Sequence, residues 1–169
     1  SHELKGRTLE TPGVRRGVWF SSRAAPGRRP VEVARSTFRL AYFNARMSLE
    51  EHDGRIEYAS ERSDRRGEPA TLRCTYNATG TPQQSQPGSL EAFLTDRYRL
   101  FASDLPPREP KRLWVGEIDH DPWMLAPAWC EVEHNSMARP LGIQTPADTA
   151  VLHLAEPVTV RAWRPSRVL

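Results

Sequence analysis

At 169 residues, with 38% hydrophobic and 27% charged residues, the chain is long enough for one sizeable core and too apolar for general disorder. Its 24 basic and 21 acidic residues leave a formal charge of +3, and only Lys5 and Lys111 are lysines; the arginines are interspersed with acids, which argues against a nucleic-acid partner and its basic stripe with interleaved aromatics. No apolar run is long enough to cross a bilayer and no charged-then-apolar leader opens the sequence, so the expectation is a cytoplasmic chain forming one domain over 1–169, without a membrane partner.

Glu3, Lys5 and Arg7 alternate, so an extended segment there projects three charges from one face. Gly17-Val18-Trp19-Phe20-Ser21 reads as a strand. A helix is predicted from Pro30 to Phe38, with Val31, Ala34 and Phe38 on one stripe and the proline in the first turn. The connector Leu40 to Met47 is unusually rich in large and hydrogen-bonding side chains and runs into a strand at Ala45 to Leu49. His52-Asp53-Gly54 predicts a hairpin turn, with Asp-Gly supplying positive φ before a strand at Arg55 to Tyr58. Arg62 to Pro69 reads as an exposed turn, Thr71 to Tyr76 as a strand, and Thr79 to Gly88 as a mobile loop.

Ser89 is the predicted N-cap of a second helix reaching Tyr98, with Glu91 favourable at its positive end. Further strands are expected at Leu113 to Ile118, around Glu131 and Glu133, at Val151 to Ala155 and at Val158 to Trp163. Cys74 and Cys130 sit in strand-forming surroundings and read as buried free thiols. Many short strands with two or three short helices predict an α+β chain, mainly β, built as a bent sheet or barrel.

Several residues carry chemistry. In an extended segment Tyr42, Asn44 and Arg46 share a face and offer a phenol, an amide and a guanidinium, able to hold an oxyanion or only to brace the helix–strand junction. His120 stands between Asp119 and Asp121, which suits acid–base work, or else marks a turn closed by Pro122 with Trp123 packing inward. Glu131 and Glu133 share a strand face and read as solvent-facing, His153 as a core residue, and the tryptophans, Trp19 among them, as core and pocket walls. Neither HExxH nor CxxC spacing occurs, so no metal site and no cofactor are expected.

Gly17-Val18-Trp19-Phe20, the Tyr42 to Met47 loop, Pro87 to Tyr98, His120-Asp121-Pro122-Trp123 and Asn135-Ser136-Met137 occur in the order seen in YqjF-like bacterial proteins, which this chain resembles from about Glu3 to Trp163. That family is a domain of unknown function, and the resemblance implies the acetoacetate decarboxylase-like superfamily, a bent, partly closed β-barrel with an interior pocket. Only the later two-thirds of the pattern is matched. The resemblance therefore implies that opening strands are absent before Glu3, either because the chain is a fragment or because a second copy completes the barrel, which makes a homo-oligomer the expected state.

Acetoacetate decarboxylases form an imine through a lysine, and Tyr42 takes its approximate place here. A phenol cannot condense with a carbonyl, so imine chemistry is not expected at that position. By the same resemblance Glu3 corresponds to a pocket glutamate and Arg7 to a carboxylate-binding partner, with Lys5 a relocated nucleophile if its pKa falls beside Arg7. The leading expectation is a cofactor-independent enzyme, a lyase or isomerase, acting on a small carbonyl or carboxylate compound. In it Tyr42, Asn44, Arg46, Arg7 and Trp19 hold substrate, and Glu3 or His120 moves a proton. The alternatives are a non-catalytic small-molecule binder and a structural subunit pairing through an open barrel edge.

Overall fold

The computed structural model describes residues 2–7, 17–103, 112–144 and 151–168, the side chains of 2–7, 20 and 21 excepted. Among the described residues, twelve strands, two α-helices and a short 3-10 helix follow in chain order: β1 (His2–Arg7), β2 (Val18–Ala25), α1 (Arg28–Phe38), β3 (Tyr42–His52), β4 (Arg55–Arg62), β5 (Thr71–Ala78), β6 (Gln83–Gln84), α2 (Leu90–Thr95), β7 (Arg99–Ser103), β8 (Leu113–Asp119), β9 (Met124–Asn135), the 3-10 helix (Arg139–Leu141), β10 (His153–Ala155), β11 (Arg161–Ala162) and β12 (Ser166–Arg167). The expected class holds: mainly β, with the sheet curled into a half-barrel.

Local chemistry explains most boundaries. Pro30 sits in the first turn of α1, and the helix stops where Arg39 takes a left-handed φ of 56° and returns its N–H to Ala34 O. Asp53 and Gly54 both take positive φ, 49° and 74°, which matches the twist of the β3–β4 hairpin. The Ser89 hydroxyl accepts the Ala92 N–H at 3.2 Å and caps α2 as expected. That helix ends at Thr95 instead of Tyr98, because the chain turns at Asp96 and enters β7.

The path through the sheet is β10-β9-β5-β4-β3-β2-β7-β8-β11, and its pivot is β2. On one edge β2 pairs antiparallel with β1. Its other edge is divided, running parallel to β7 along Val18 and Trp19 and parallel to β3 along Arg23 to Ala25. Parallel neighbours need a crossover, and α1 supplies the one between β2 and β3. The sheet therefore forks at β2. Val18, Leu40 and Ala102 are buried near the fork, with Phe38, Tyr42 and Leu100 packed against them.

Four local expectations are corrected. Within 79–88, expected as a loop, Gln83 and Gln84 pair with Leu125 and Met124 of β9. The turn after β4 is not simply exposed, since Arg62 and Asp64 are 8% and 9% exposed. His153 is exposed rather than in the core, because β10 lies at the end of the sheet path. Cys74 and Cys130 are free thiols but half-buried, on neighbouring strands β5 and β9 whose apolar face is only partly covered.

Candidate functional site

Where the sheet forks, a cavity of about 830 Å³ opens between α1, α2 and strands β2, β7 and β8, a size suited to a drug-sized ligand. Its floor carries Val18 and Leu40, at 7% and 6% exposure. Twelve of its eighteen lining residues are apolar; the polar remainder is Arg23, Arg29, Tyr42, Thr95, Arg97 and His120. Three arginines and no carboxylate therefore face one apolar space among the described residues.

Tyr42 enters this wall at the start of β3, after the three-residue connector Arg39 to Ala41 that follows α1. The Arg35 guanidinium donates to the Tyr42 carbonyl oxygen at 2.8 Å and ties the helix to the first residue of β3. Tyr42 pairs with Arg23 across the β2–β3 ladder, and the Arg23 guanidinium carbon lies 5.1 Å from the Tyr42 ring centroid. A phenol and a cation are thus held side by side. On the α2 side, the Arg97 guanidinium carbon stacks 4.3 Å from the Phe93 ring centroid while Nη1 donates to Asp96 O.

His120 is 8% exposed and follows β8. Its ring stacks on Tyr98 at 4.9 Å between centroids and meets Trp123, itself a lining residue, at 5.4 Å. The His120 Nδ1 lies 2.8 Å from Asp121 O. A carbonyl oxygen only accepts, so Nδ1 carries the hydrogen and the neutral ring keeps Nε2 as its acceptor nitrogen. Asp119 and Asp121 are both exposed, so the aromatic stack and this backbone contact set the ring's position.

Beside the cavity lies a polar brace that includes Asn44 and is built on Asp64 and Arg66, two residues not singled out from the sequence. Asp64 Oδ2 accepts from the Asn44 backbone N–H at 3.0 Å and from Asn44 Nδ2 at 3.2 Å. Arg66 donates to Asp64 through Nε and Nη2 at 2.8 and 2.6 Å, and its Nη2 also reaches Glu32 of α1 at 2.8 Å. Arg66, aided by the backbone N–H groups of Asn44 and Arg66, holds the Asp64 carboxyl far below the usual carboxylate range. Next to it Arg62 lies with its guanidinium carbon 4.2 Å from the Phe43 ring centroid and donates to Ser22 Oγ at 2.7 Å. The available signal was Asp64 two residues before Arg66, an Asx turn in which Asp64 Oδ1 accepts the Arg66 N–H at 3.1 Å.

Of the residues singled out from sequence, the cavity brings together Tyr42 and His120. Asn44 turns to Asp64 and acts as the brace. Arg46 shares the nominal face of Tyr42 but stands four residues, roughly 13 Å, further along the strand. There it pairs with Glu61 at 3.1 Å, with 75% of its side chain exposed. Trp19 is half-buried and outside the lining, since strand alternation gives the cavity to its neighbour Val18. The side chains of Glu3, Lys5 and Arg7 lie outside the described residues. Glu131 and Glu133 face solvent, as expected. Arg23 was missed as a site residue because the strand read from the sequence stopped at Ser21 whereas β2 runs on to Ala25, and Arg97 because it sits in a regular helical pattern.

Residues 2–159 match the DUF2071 family, whose description is "Uncharacterized conserved protein". The chain is also similar to "Uncharacterized protein YqjF" of Bacillus subtilis (strain 168), at 32% identity over 161 residues. That alignment covers 95% of this chain and 64% of the relative, so the chain spans just under two-thirds of the relative's length.

Proposed function

The chain belongs to the DUF2071 family, and from that premise we propose that it is a cofactor-independent enzyme, a lyase or isomerase, acting on a carbonyl or carboxylate compound within the forked-sheet cavity. The observation that carries this reading is that Tyr42 and His120 line one space, with Arg23 against the Tyr42 ring. The proposal includes membership of the acetoacetate decarboxylase-like superfamily, supported by a curled half-barrel with helices beside its pocket. A cytoplasmic setting, where thiols stay reduced, agrees with two free cysteines.

The chemistry is noncovalent. The Tyr42 hydroxyl donates to the substrate carbonyl oxygen, and the Arg23 cation stabilises negative charge developing there. His120 Nε2 accepts the proton from the carbon α to that carbonyl, the C–H electron pair moves toward oxygen as an enolate, and reprotonation or loss of a leaving group completes the turnover. The test is α-proton exchange in deuterated water, followed by NMR, with a panel of short 2- and 3-oxo acids. Wild-type protein is expected to accelerate exchange for at least one member, and His120→Gln to lower that rate by about a hundredfold or more. Unchanged exchange in His120→Gln overturns the assignment.

A second reading is favoured by the apolar share of the lining: a binding module that holds its ligand without converting it. It differs in outcome, because ligands then raise the melting temperature while no exchange or product accompanies binding.

A further inference from the structure

The residues that line the cavity differ sharply in exposure. Val18, Leu40 and His120 at its inner end are 7%, 6% and 8% exposed. Val33 of α1, Leu94 of α2 and Val160 before β11 also line it, yet stand 57%, 49% and 46% exposed. Three separate elements thus present aliphatic side chains at the exposed end of one cavity, beside the exposed Arg29 of α1, while Arg23, Tyr42 and Arg97 lie half-buried within it. Isolated exposed aliphatics are ordinary, but a converging apolar rim around a cavity marks a binding site.

The size points the same way. A four-carbon oxo acid leaves most of about 830 Å³ filled with water against an apolar wall, with little gain from the hydrophobic effect. The lining's ionic groups are cationic, with three arginines and no carboxylate among the described residues. An arginine fork recognises a carboxylate by paired N–H donors, whereas a neutral headgroup gains nothing from the charge.

We infer that the ligand of this cavity is an amphipathic carboxylate, its anionic head held inside near Arg23 and Tyr42 and an unbranched hydrocarbon tail of medium length lying along the Val33–Leu94–Val160 rim. This deepens the proposed function and rests on the same cavity, but it replaces a minimal substrate by an acyl compound.

Calorimetric titration of the full chain with short 2- and 3-oxo acids, with straight-chain carboxylates from butanoate to dodecanoate, and with decan-1-ol, tests it. Affinity is expected to rise about fourfold per added methylene through decanoate. Decan-1-ol is expected to bind at least tenfold more weakly than decanoate. Leu94→Asp, at an exposed position, flattens the chain-length dependence, and Arg23→Gln narrows the difference between acid and alcohol. If short oxo acids bind and longer chains bind no better, the amphipathic ligand is overturned and the small-substrate reading survives. If decan-1-ol equals decanoate, the carboxylate head is overturned. If no carboxylate and no oxo acid binds, both readings fall.

Discussion

The guanidinium carbon of Arg23 stands 5.1 Å from the centroid of the Tyr42 ring, across a parallel ladder in which these two residues are direct partners. The contact joins the strand that leads toward α1 to the strand that leaves it, and both residues line the cavity. The π face is shared by phenyl and phenol rings, so packing and chemistry at position 42 are separable.

Tyr42→Phe keeps the ring beneath Arg23 and is expected to cost about 1 kcal/mol or less in urea unfolding, the range of one hydrogen bond. Tyr42→Ala removes the ring and is expected to cost about 3 kcal/mol. The Phe variant should nonetheless lose ligand-dependent exchange. Retained exchange in Tyr42→Phe would show that the hydroxyl does not serve the reaction.

Asp64 links β3, the turn after β4 and, through Arg66, helix α1. Asp64→Asn is expected to destabilise the fold by about 2 kcal/mol at pH 7, the scale of a lost charge-assisted hydrogen bond. The folded carboxyl has its pKa lowered, so its stabilisation is complete above about pH 5 and declines as pH falls through the unfolded value near 4. The gap between wild type and Asp64→Asn should therefore narrow from pH 5 down to pH 3. A gap independent of pH would remove Asp64 as the source.

The Cys74 thiol is pushed up to about 11 by burial, with Cys130 and Glu133 adding to the effect. Roughly a hundredfold less thiolate than an ordinary thiol is present at pH 8, and the thiolate is the nucleophile. Iodoacetamide should alkylate Cys74 in native protein at least tenfold more slowly than in urea-unfolded protein, as read by peptide mass spectrometry. Equal rates would contradict this environment.

A methyl group at Gly67 meets Phe43 Cε1 at 2.7 Å and Arg62 Nη1 at 3.0 Å. Gly67→Ala is expected to cost about 1–3 kcal/mol by forcing the Phe43–Arg62 stack apart. Gly54→Ala meets nothing within 4 Å and carries only the strain of φ +74°, about 1 kcal/mol. Denaturation midpoints of the two variants should follow that order; the reverse order would mean that the stack yields at little cost.

Features whose cause lies within a few residues were legible in the chain. The Asp53-Gly54 turn and the Ser89 cap depend on backbone chemistry that neighbours cannot override, and the helix expected from Pro30 begins two residues earlier, at Arg28. Strand β7 was not read, because five residues directly after a helical pattern carry too little periodicity of their own. The 12-residue strand β9 was read only in part, its pattern broken by Pro127 and by a register shift opposite Arg73 and Cys74. Tyr42 and His120, both singled out from the sequence, line the cavity, while Arg46 was grouped with Tyr42 because alternation specifies a face and not how far a helix covers it.

By itself, then, the order of residues determined the mainly β class, both helices, the Ser89 cap and the family. Tertiary structure alone decided that β2 shares one edge between β3 and β7, and with it the position of the cavity, the placing of Arg23 against Tyr42 and the burial of Asp64. The physical reason is range: turns and caps are closed by bonds between near neighbours, whereas the fork depends on pairings between segments up to 82 residues apart, such as Val18 with Leu100.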